Sequence, residues 1–259
     1  MKSNPEPPLT ALSDLPHQLS QAGWAVLDSA ALRALAGLQP ATLAGWQPLW
    51  QALPPDEHLR DGGRYRRRRH GCFVVDGSHC RAVPQRAHWQ PVEYNALHGG
   101  IQRHFEALPD SLLADPAWPR LLVALAGIAS HLRQPGIASH QRQPGAWFVE
   151  AHPFRIDATD GIGRPTPEGA HRDGVDLVAV VFVGRGNVKG GETRVFDAHG
   201  PHGVRFELHE PWSVLLLDDE REIHESTPIQ PLNPALPSWR DTLVLTFRRG
   251  GFQGPQETA

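Results

Sequence analysis

His171-Arg172-Asp173 sets an imidazole and a carboxylate two positions apart. On a strand, residues i and i+2 point to the same face, so both side chains can reach one metal ion. Alone the pair is weak. With 15 His in the chain, a His-x-Asp is expected about once by chance. Context raises its weight. Leu215-Leu216-Leu217-Asp218-Asp219 is an apolar strand running into acidic turn residues, and His224 follows in Ile223-His224-Glu225-Ser226-Thr227-Pro228-Ile229. A third ligand from that distant strand would put two imidazoles and one carboxylate on one side of an ion. Such a set leaves three coordination positions open, the arrangement of non-haem Fe(II) oxygenases.

A second constellation lies near the C-terminus, in Arg240-Asp241-Thr242-Leu243-Val244-Leu245-Thr246-Phe247-Arg248. A period of two puts Arg240, Thr242, Val244, Thr246 and Arg248 on one face and Leu243, Leu245 and Phe247 on the other. An Arg with a hydroxyl two residues on can hold a carboxylate by a bidentate fork and one further hydrogen bond. A dicarboxylate could then chelate the metal at one end and meet Arg240 at the other. Arg248 shares the face and competes for that role.

Other readings of these residues are weaker. Zinc accepts the same ligands, but no positioned Glu base stands out for hydrolysis. His171-Arg172-Asp173 mimics a kinase catalytic loop, yet Val178 stands where an Asn is required and Asp-Phe-Gly is absent. His104-Phe105-Glu106 has the same spacing as the first pair but falls in an expected helix, where i and i+2 diverge.

These residues need strands to carry them. From Trp147 onward eight short strands are expected: 147–157, 171–173, 177–183, 193–196, 204–208, 212–217, 222–229 and 242–248. The unbroken apolar runs at 177–183 and 212–217 suit strands buried on both faces. Eight short strands with turn signals point to a jelly roll. Before them the chain is more helical: 12–22, a short strand at 24–27, a helix at 29–38 capped by Asp28, and another from 42 or 44 to 53. A strand at 65–75, a short helix from Ile101 and a broken helix at 111–130 follow. The expected organisation is a disordered N-terminus at 1–9 and a single domain at 10–259. Its 10–145 part mixes helices and strands, and 146–250 forms the β core. The fold class is therefore α+β, mainly β. Residues 127–135 and 136–144 repeat one nine-residue unit with a single difference. That is too short a period for a solenoid, and a duplication tolerated in a surface loop accounts for it.

Composition agrees. Gly and Pro, 25 each in 259 residues, make about 19% of the chain, above the ordinary share but below that of disordered chains. A helix bundle would suffer from them. A net charge of −3 gives no bulk attraction to nucleic acid or an anionic membrane. With only two cysteines, Cys72 and Cys80, a four-cysteine zinc site and a disulfide framework are excluded. With no apolar leader and no long apolar run, a cytoplasmic protein is expected.

Together these residues resemble the double-stranded β-helix dioxygenases that use Fe(II) and 2-oxoglutarate. Pro167-Glu168-Gly169-Ala170-His171-Arg172-Asp173-Gly174, Gly190-Gly191-Glu192-Thr193 and the 240–248 strand narrow the resemblance. So do the stretches 66–69, 90–95 and 99–105. They resemble the bacterial family that includes free L-isoleucine hydroxylases and BsmA-like proteins, over residues 20–250. The resemblance implies a double-stranded β-helix core with N-terminal helices packed on it. It implies Fe(II) held by His171, Asp173 and His224, with 2-oxoglutarate and O2 as cosubstrates and Arg240 and Thr242 as the cosubstrate anchor. The implied reaction hydroxylates a small molecule, a free L-amino acid before others, and releases succinate and CO2. A peptide side-chain hydroxylase and a non-catalytic cupin-like module remain alternatives.

The remaining polar residues are open. Glu150 and His152 share one face of the 147–157 strand, with Arg155 on the other unless Pro153 causes a bulge. Either group could meet a substrate zwitterion or serve the fold. Tyr94 and Asn95 suit a turn as well as a substrate contact. Arg64-Tyr65-Arg66-Arg67-Arg68-Arg69 is expected to be a solvated, ion-paired strand, before a substrate or cosubstrate contact by one or two of its Arg and before an RNA patch. His199 and His202 suit a surface turn.

Overall fold

The computed structural model describes residues 6–133 and 145–255. The alternation of β-branched and aromatic residues with polar ones from Trp147 onward builds an antiparallel sandwich. Its main sheet has eight strands. The spine is β13 (Trp239–Arg248), flanked by β5 (Trp147–Asp157) and β6 (Leu177–Gly186). Outside β6 lie β10 (Val214–Asp218) and β1 (Trp24–Leu27). Outside β5 lie β3 (Gly71–Asp76) and β4 (His79–Ala82), while β2 (Arg66–Arg68) pairs with the far end of β5. A three-stranded sheet, β11 (Glu222–Ser226), β8 (Thr193–Asp197) and β9 (Gly203–Phe206), forms the second layer with the pair β12 (Ile229–Pro231) and β7 (Val188–Gly190). This is the double-stranded β-helix arrangement, with no closed barrel.

The main sheet is covered on both faces, which explains its apolar runs. On one face Leu177, Ala179, Val181, Val214, Leu216, Leu243, Leu245 and Phe247 pack against the helices. On the other, Val178, Phe182, Leu215 and Leu217 meet Val195 and Phe206 of the second sheet. The helical layer contains α1 (Leu15–Ala22), α2 (Ser29–Ala36), α3 (Pro40–Trp46), a 3-10 turn over Gln47–Ala52, α4 (Asp110–Leu113) and α5 (Ala117–Arg133). Asp28 caps α2 as expected, its Oδ1 accepting from Ala31 N at 2.7 Å. Trp50, in the 3-10 turn, donates its Nε1–H to Thr242 O at 3.0 Å and so ties the helical layer to the back of β13.

Several sequence expectations are corrected. The helix expected from 42 or 44 starts at Pro40, whose fixed φ suits a first helical turn, and becomes 3-10 at Gln47. The 65–75 strand is two strands interrupted at Arg69-His70. No helix follows Ile101; Arg103 instead exchanges main-chain hydrogen bonds with His88, 2.9 Å each way. The expected 171–173 strand is reduced to one bridge, His171 with His224. β7 and β12 are short strands that the sequence pattern did not predict. Of the repeated unit, residues 127–133 end α5 rather than forming a loop, and 134–144 lie outside the described residues. Of the expected disordered 1–9, residues 1–5 also lie outside them, while Leu9 bridges to Val26. No helix among the described residues is long and apolar enough to cross a membrane.

Arg133 closes the helical layer onto the sheet. Its guanidinium reaches Asp176 Oδ1 and Asp218 Oδ1, both at 2.8 Å, with all three side chains nearly buried. Removing one partner of a buried pair leaves the others uncompensated. Arg133→Met is therefore expected to cost about 3 kcal/mol in denaturant unfolding. Arg249→Met, whose side chain is half-exposed against the same Asp176, is expected to cost under about 1 kcal/mol.

Candidate active site

Strand register decides which side chains share a cavity. On β5, residues Glu150, His152, Phe154 and Ile156 alternate onto the inner face of the main sheet. The pairing sets them beside Thr246, Val244, Thr242 and Arg240 of β13. β2 adds Arg68 opposite Phe154 and Arg66 opposite Ile156. All of these line one cavity of about 110 Å³, with Val180, Gln90, Asn95, Arg103, Glu168 and the residues of the metal-type triad.

The triad is assembled by a single bridge. His171 N donates to His224 O at 3.0 Å and His224 N to His171 O at 2.9 Å. Directly opposed residues in such a pair project to the same side, and the two rings lie 4.7 Å apart. Gly169 O accepts from His171 Nδ1 at 3.0 Å, which leaves Nε2 as the free lone pair. Asp173 is brought in by the turn that follows. Asp219, just beyond β10, accepts from the main-chain N–H of Asp173, Gly174 and Val175 at 3.0, 2.7 and 3.0 Å. Gly174 has φ +75°, and a Cβ there would stand 2.5 Å from the Tyr94 ring, so only glycine fits this turn. Gln90 completes the support, donating to Asp173 Oδ1 at 3.0 Å. Its Oε1 accepts from Asn95 and Arg103, which orients the amide.

The three ligand atoms lie within 4.8 Å of one another. Asp173 stands 3.9 Å from His171 Nε2 and 3.8 Å from His224 Nε2. Ligands on one ion lie about 3 Å apart, so these three side chains would hold a metal ion after a small closure. The electrostatics agree. Burial pushes Asp173 above the ordinary carboxyl range. Burial, then the Asp173 charge, pushes Asp219 up to about 7. Burial opposes a charge on His171, but Glu168 and Asp173 outweigh it and raise its pKa. Burial, with His171 beside it, holds His224 well below the ordinary value. Crowded carboxylates beside two imidazoles are stabilised by a cation, and this nitrogen and oxygen set fits Fe(II).

Arg240 lines the same cavity and is buried. Its Nη2 has no hydrogen-bond partner, and it forms no ion pair among the described residues. Burial, then the neighbouring Arg185, pushes it down to about 10. A buried guanidinium without a counter-charge is costly until an anion arrives. Thr242 lies beside it on the cavity wall. Arg248, the competitor, points elsewhere and donates to Gly251 O.

The structure sorts the other candidates. Glu150, His152 and Asn95 line the cavity. Asn95 also serves its turn, Oδ1 accepting from His98 N at 2.7 Å. Arg155 does not line it. It keeps to the outer face of β5 and grips both oxygens of Asp241, at 2.8 and 2.7 Å. Tyr94 is also outside the lining, packed against Gly174 and Arg172. The solvated reading of the Arg64–69 run holds for Arg69, paired with Glu106, but fails for Arg66 and Arg68, which are buried. Arg68 lies between the rings of Phe105 and Phe154, 3.9 and 4.4 Å from their centroids. The alternation of the run carried that signal, since its even positions share one face. Arg103, Glu168 and Asp219 lie in stretches that the sequence singles out, but no local pattern assigned them these roles.

A second cluster adjoins the triad. His70, His88, Glu150 and His152 also place ligand-type atoms within 4.8 Å. Their geometry is that of a hydrogen-bonded network. Glu150 accepts from His70 Nε2 at 3.1 Å and His88 Nδ1 at 3.3 Å. Arg68 donates to His152 Nδ1 at 2.6 Å. A cation there would displace these bonds and face a guanidinium. Burial works against the charge on Glu150, but His88 and His70 together hold its carboxyl below the usual range. Burial pushes His88 down to about 3 and His152 well below the ordinary value.

The chain is similar to known proteins. Residues 47–246 match the family model described as 2OG-Fe dioxygenase. A solved bsmA homolog from Methylobium petroleophilum PM1 is 54% identical, with 95% of this chain and 96% of that chain covered and a TM-score of 0.86. IDO from Bacillus thuringiensis is 16% identical, with 97% and 99% covered and a TM-score of 0.71. The Fe(II)/(alpha)ketoglutarate-dependent dioxygenase TqaL is 21% identical, with 95% and 92% covered and a TM-score of 0.67. The last two share the fold. No curated protein sequence matches the chain.

The neutral histidines make stability acid-sensitive. His88 and His152 take protons near the ordinary value in the unfolded chain but only well below it when folded. The unfolded state therefore binds more protons below about pH 6.5, and stability falls as pH drops through that value. Each such His contributes a slope of about 1.4 kcal/mol per pH unit. Denaturant midpoints at about pH 7.5, 6 and 5 are expected to fall in that order. His88→Asn, which keeps a donor toward Glu150, is expected to flatten the slope by one proton's share.

Proposed function

The chain belongs to the 2OG-Fe dioxygenase family, and on that premise we propose that it hydroxylates a free L-amino acid, coupled to conversion of 2-oxoglutarate to succinate and CO2. The family uses Fe(II), 2-oxoglutarate and O2; when bound, these supply the oxidative decarboxylation that lets one oxygen atom enter a C–H bond. His171, Asp173 and His224 are the iron ligands in this reading. His171 presents Nε2 because Gly169 O holds the other nitrogen. Asp173 is kept in place by Gln90 and by the turn that Asp219 clamps. Arg240, with Thr242, takes the distal carboxylate of 2-oxoglutarate. Val175, Val180 and Val244 line the cavity beside these groups and exclude water from the reacting atoms.

The observation that carries the amino-acid reading is the cavity's charge. Arg66 is paired with Asp56 at 2.7 Å. Arg68, Arg103 and Arg240 have no carboxylate partner within ion-pair distance among the described residues. Against them stand Glu150, Glu168 and Asp173. A divalent ion and dianionic 2-oxoglutarate cancel one another, so the remaining space suits a solute carrying both signs of charge and no net charge. The sequence resemblance to free L-isoleucine hydroxylases supports the same substrate class.

The test is succinate release by anaerobically purified protein given Fe(II), 2-oxoglutarate and O2 with each of the twenty L-amino acids in turn. Stimulation by one of them, with one oxygen atom added to it, is expected. Stimulation by a peptide alone would replace this reading with the peptide hydroxylase. Asp173→Ala is expected to abolish iron binding and turnover while leaving the unfolding midpoint near that of the parent; unchanged turnover would remove Asp173 from the ligand set. Arg240→Ala is expected to raise the KM for 2-oxoglutarate about 100-fold, as loss of a charge-assisted bidentate contact does. Arg248→Ala is expected to change it by less than about 2-fold, and the reverse order would move the anchor.

A further inference from the structure

Glu168 stands out among the cavity's acids because, among the described residues, no hydrogen-bond donor satisfies it and its one ionic neighbour is His171. It lies three residues before His171, and its Oε1 is 3.5 Å from His171 Nε2. Its Oε2 is buried without a hydrogen-bond partner. The side chain is only 10% exposed, and no Lys or Arg lies within ion-pair distance of it among the described residues. Glu150, by contrast, accepts from two histidines, and Asp173 accepts from Gln90.

Two guanidiniums lining the same cavity are unsatisfied in the opposite sense. Arg68 and Arg103 each bury an Nε–H that donates to nothing. Both are clamped. Arg68 is held between two aromatic rings, and Arg103 donates to Gln90 Oε1 at 2.9 Å. Neither can swing far to find a partner. Glu168 is near enough to Arg103 for its charge to act on it, yet the two do not join. A buried charge without an ion-pair partner is costly, and here one carboxylate and two guanidiniums in that state line the same cavity.

We propose that Glu168 binds the α-ammonium group of the substrate and that Arg68 and Arg103 bind its α-carboxylate, so that the cavity selects an α-amino acid by both ends of its zwitterion. This rests on the free amino-acid reading above and adds the residues that enforce it. It also places the ammonium group beside the His171 edge of the triad, and Glu168 serves as a specificity residue rather than an iron ligand.

The test is anaerobic calorimetry on the full chain loaded with Fe(II) and 2-oxoglutarate. The twenty L-amino acids are titrated first. The tightest is then compared with its desamino carboxylic acid and its α-amide. The parent is expected to prefer the amino acid to either analogue by about 30-fold, the scale of one charge-assisted hydrogen bond. Glu168→Gln is expected to weaken the amino acid by about 30-fold while leaving the desamino acid within about 3-fold. Its bound iron is expected to match the parent. Glu168→Asp is expected to recover part of the loss. Arg103→Gln is expected to weaken the amino acid and the desamino acid but not the amide.

An amino acid that binds Glu168→Gln as tightly as the parent overturns the assignment and leaves the amino-acid reading standing. Loss of bound iron in Glu168→Gln overturns it differently, by making Glu168 a ligand. Binding of iron and 2-oxoglutarate with no amino acid bound by the parent overturns both the reading and the assignment.

Discussion

Two main-chain hydrogen bonds, exchanged between His171 and His224, hold the metal-type triad to the fold. His224 belongs to β11, which is registered against β8 by five residue pairs. His171 belongs to no strand and has only this bridge. A slip of one residue at the bridge would turn one imidazole to the opposite face. The turn after His171 is therefore fixed from a third direction. Asp219 takes three successive N–H groups from Asp173, Gly174 and Val175, and Gly174 supplies the positive φ that lets them converge. The geometry of the triad depends on that clamp as much as on the three side chains themselves.

The same period of two sorts charge across the sandwich. Odd positions of β13 feed the helix-facing core through Leu243, Leu245 and Phe247. Even positions feed the cavity through Arg240, Thr242, Val244 and Thr246. On β5, Val149 and Ala151 enter the core while Glu150 and His152 enter the cavity. Arg155 falls on the other face and is neutralised by Asp241. Charges facing the outer layer thus find protein partners, whereas several facing the cavity do not. Protein interiors rarely tolerate unpaired charge. Its concentration in one space marks where the partners arrive from outside.

The helical layer stabilises this arrangement without touching the chemistry. Trp46, Trp50, Trp118 and Trp212 meet edge to face, with centroids 5.9 to 6.2 Å apart. Trp50 bonds the backbone of Thr242 from behind. The loop carrying Gln90, Asn95 and Arg103 is held over the cavity by its bridge from His88 to Arg103. A rigid scaffold with its functional groups on supported turns is the usual division of labour in such folds.

The mainly β class and the face shared by Arg240, Thr242, Val244 and Thr246 were legible because each rests on local periodicity, whereas His171 and Asp173 meet through a bridge and a turn rather than the expected strand. Spacing of two on a strand states which side chains share a face before any partner is known. The apolar runs of β6 and β10 likewise announced strands covered on both sides. What the sequence left open was decided by register between elements distant in the chain. It placed Arg66 and Arg68 in the cavity rather than in solvent, turned Arg155 away, and left Tyr94 against Gly174. Asp219, Glu168 and Arg103 fall in stretches that the sequence singles out, yet their roles were not readable there, since a carboxylate clamping a remote turn and a charge awaiting a partner look like any other polar residue in a row of letters. Their roles are set by distances across strands and by burial, and both come into being only when the two sheets close on one another.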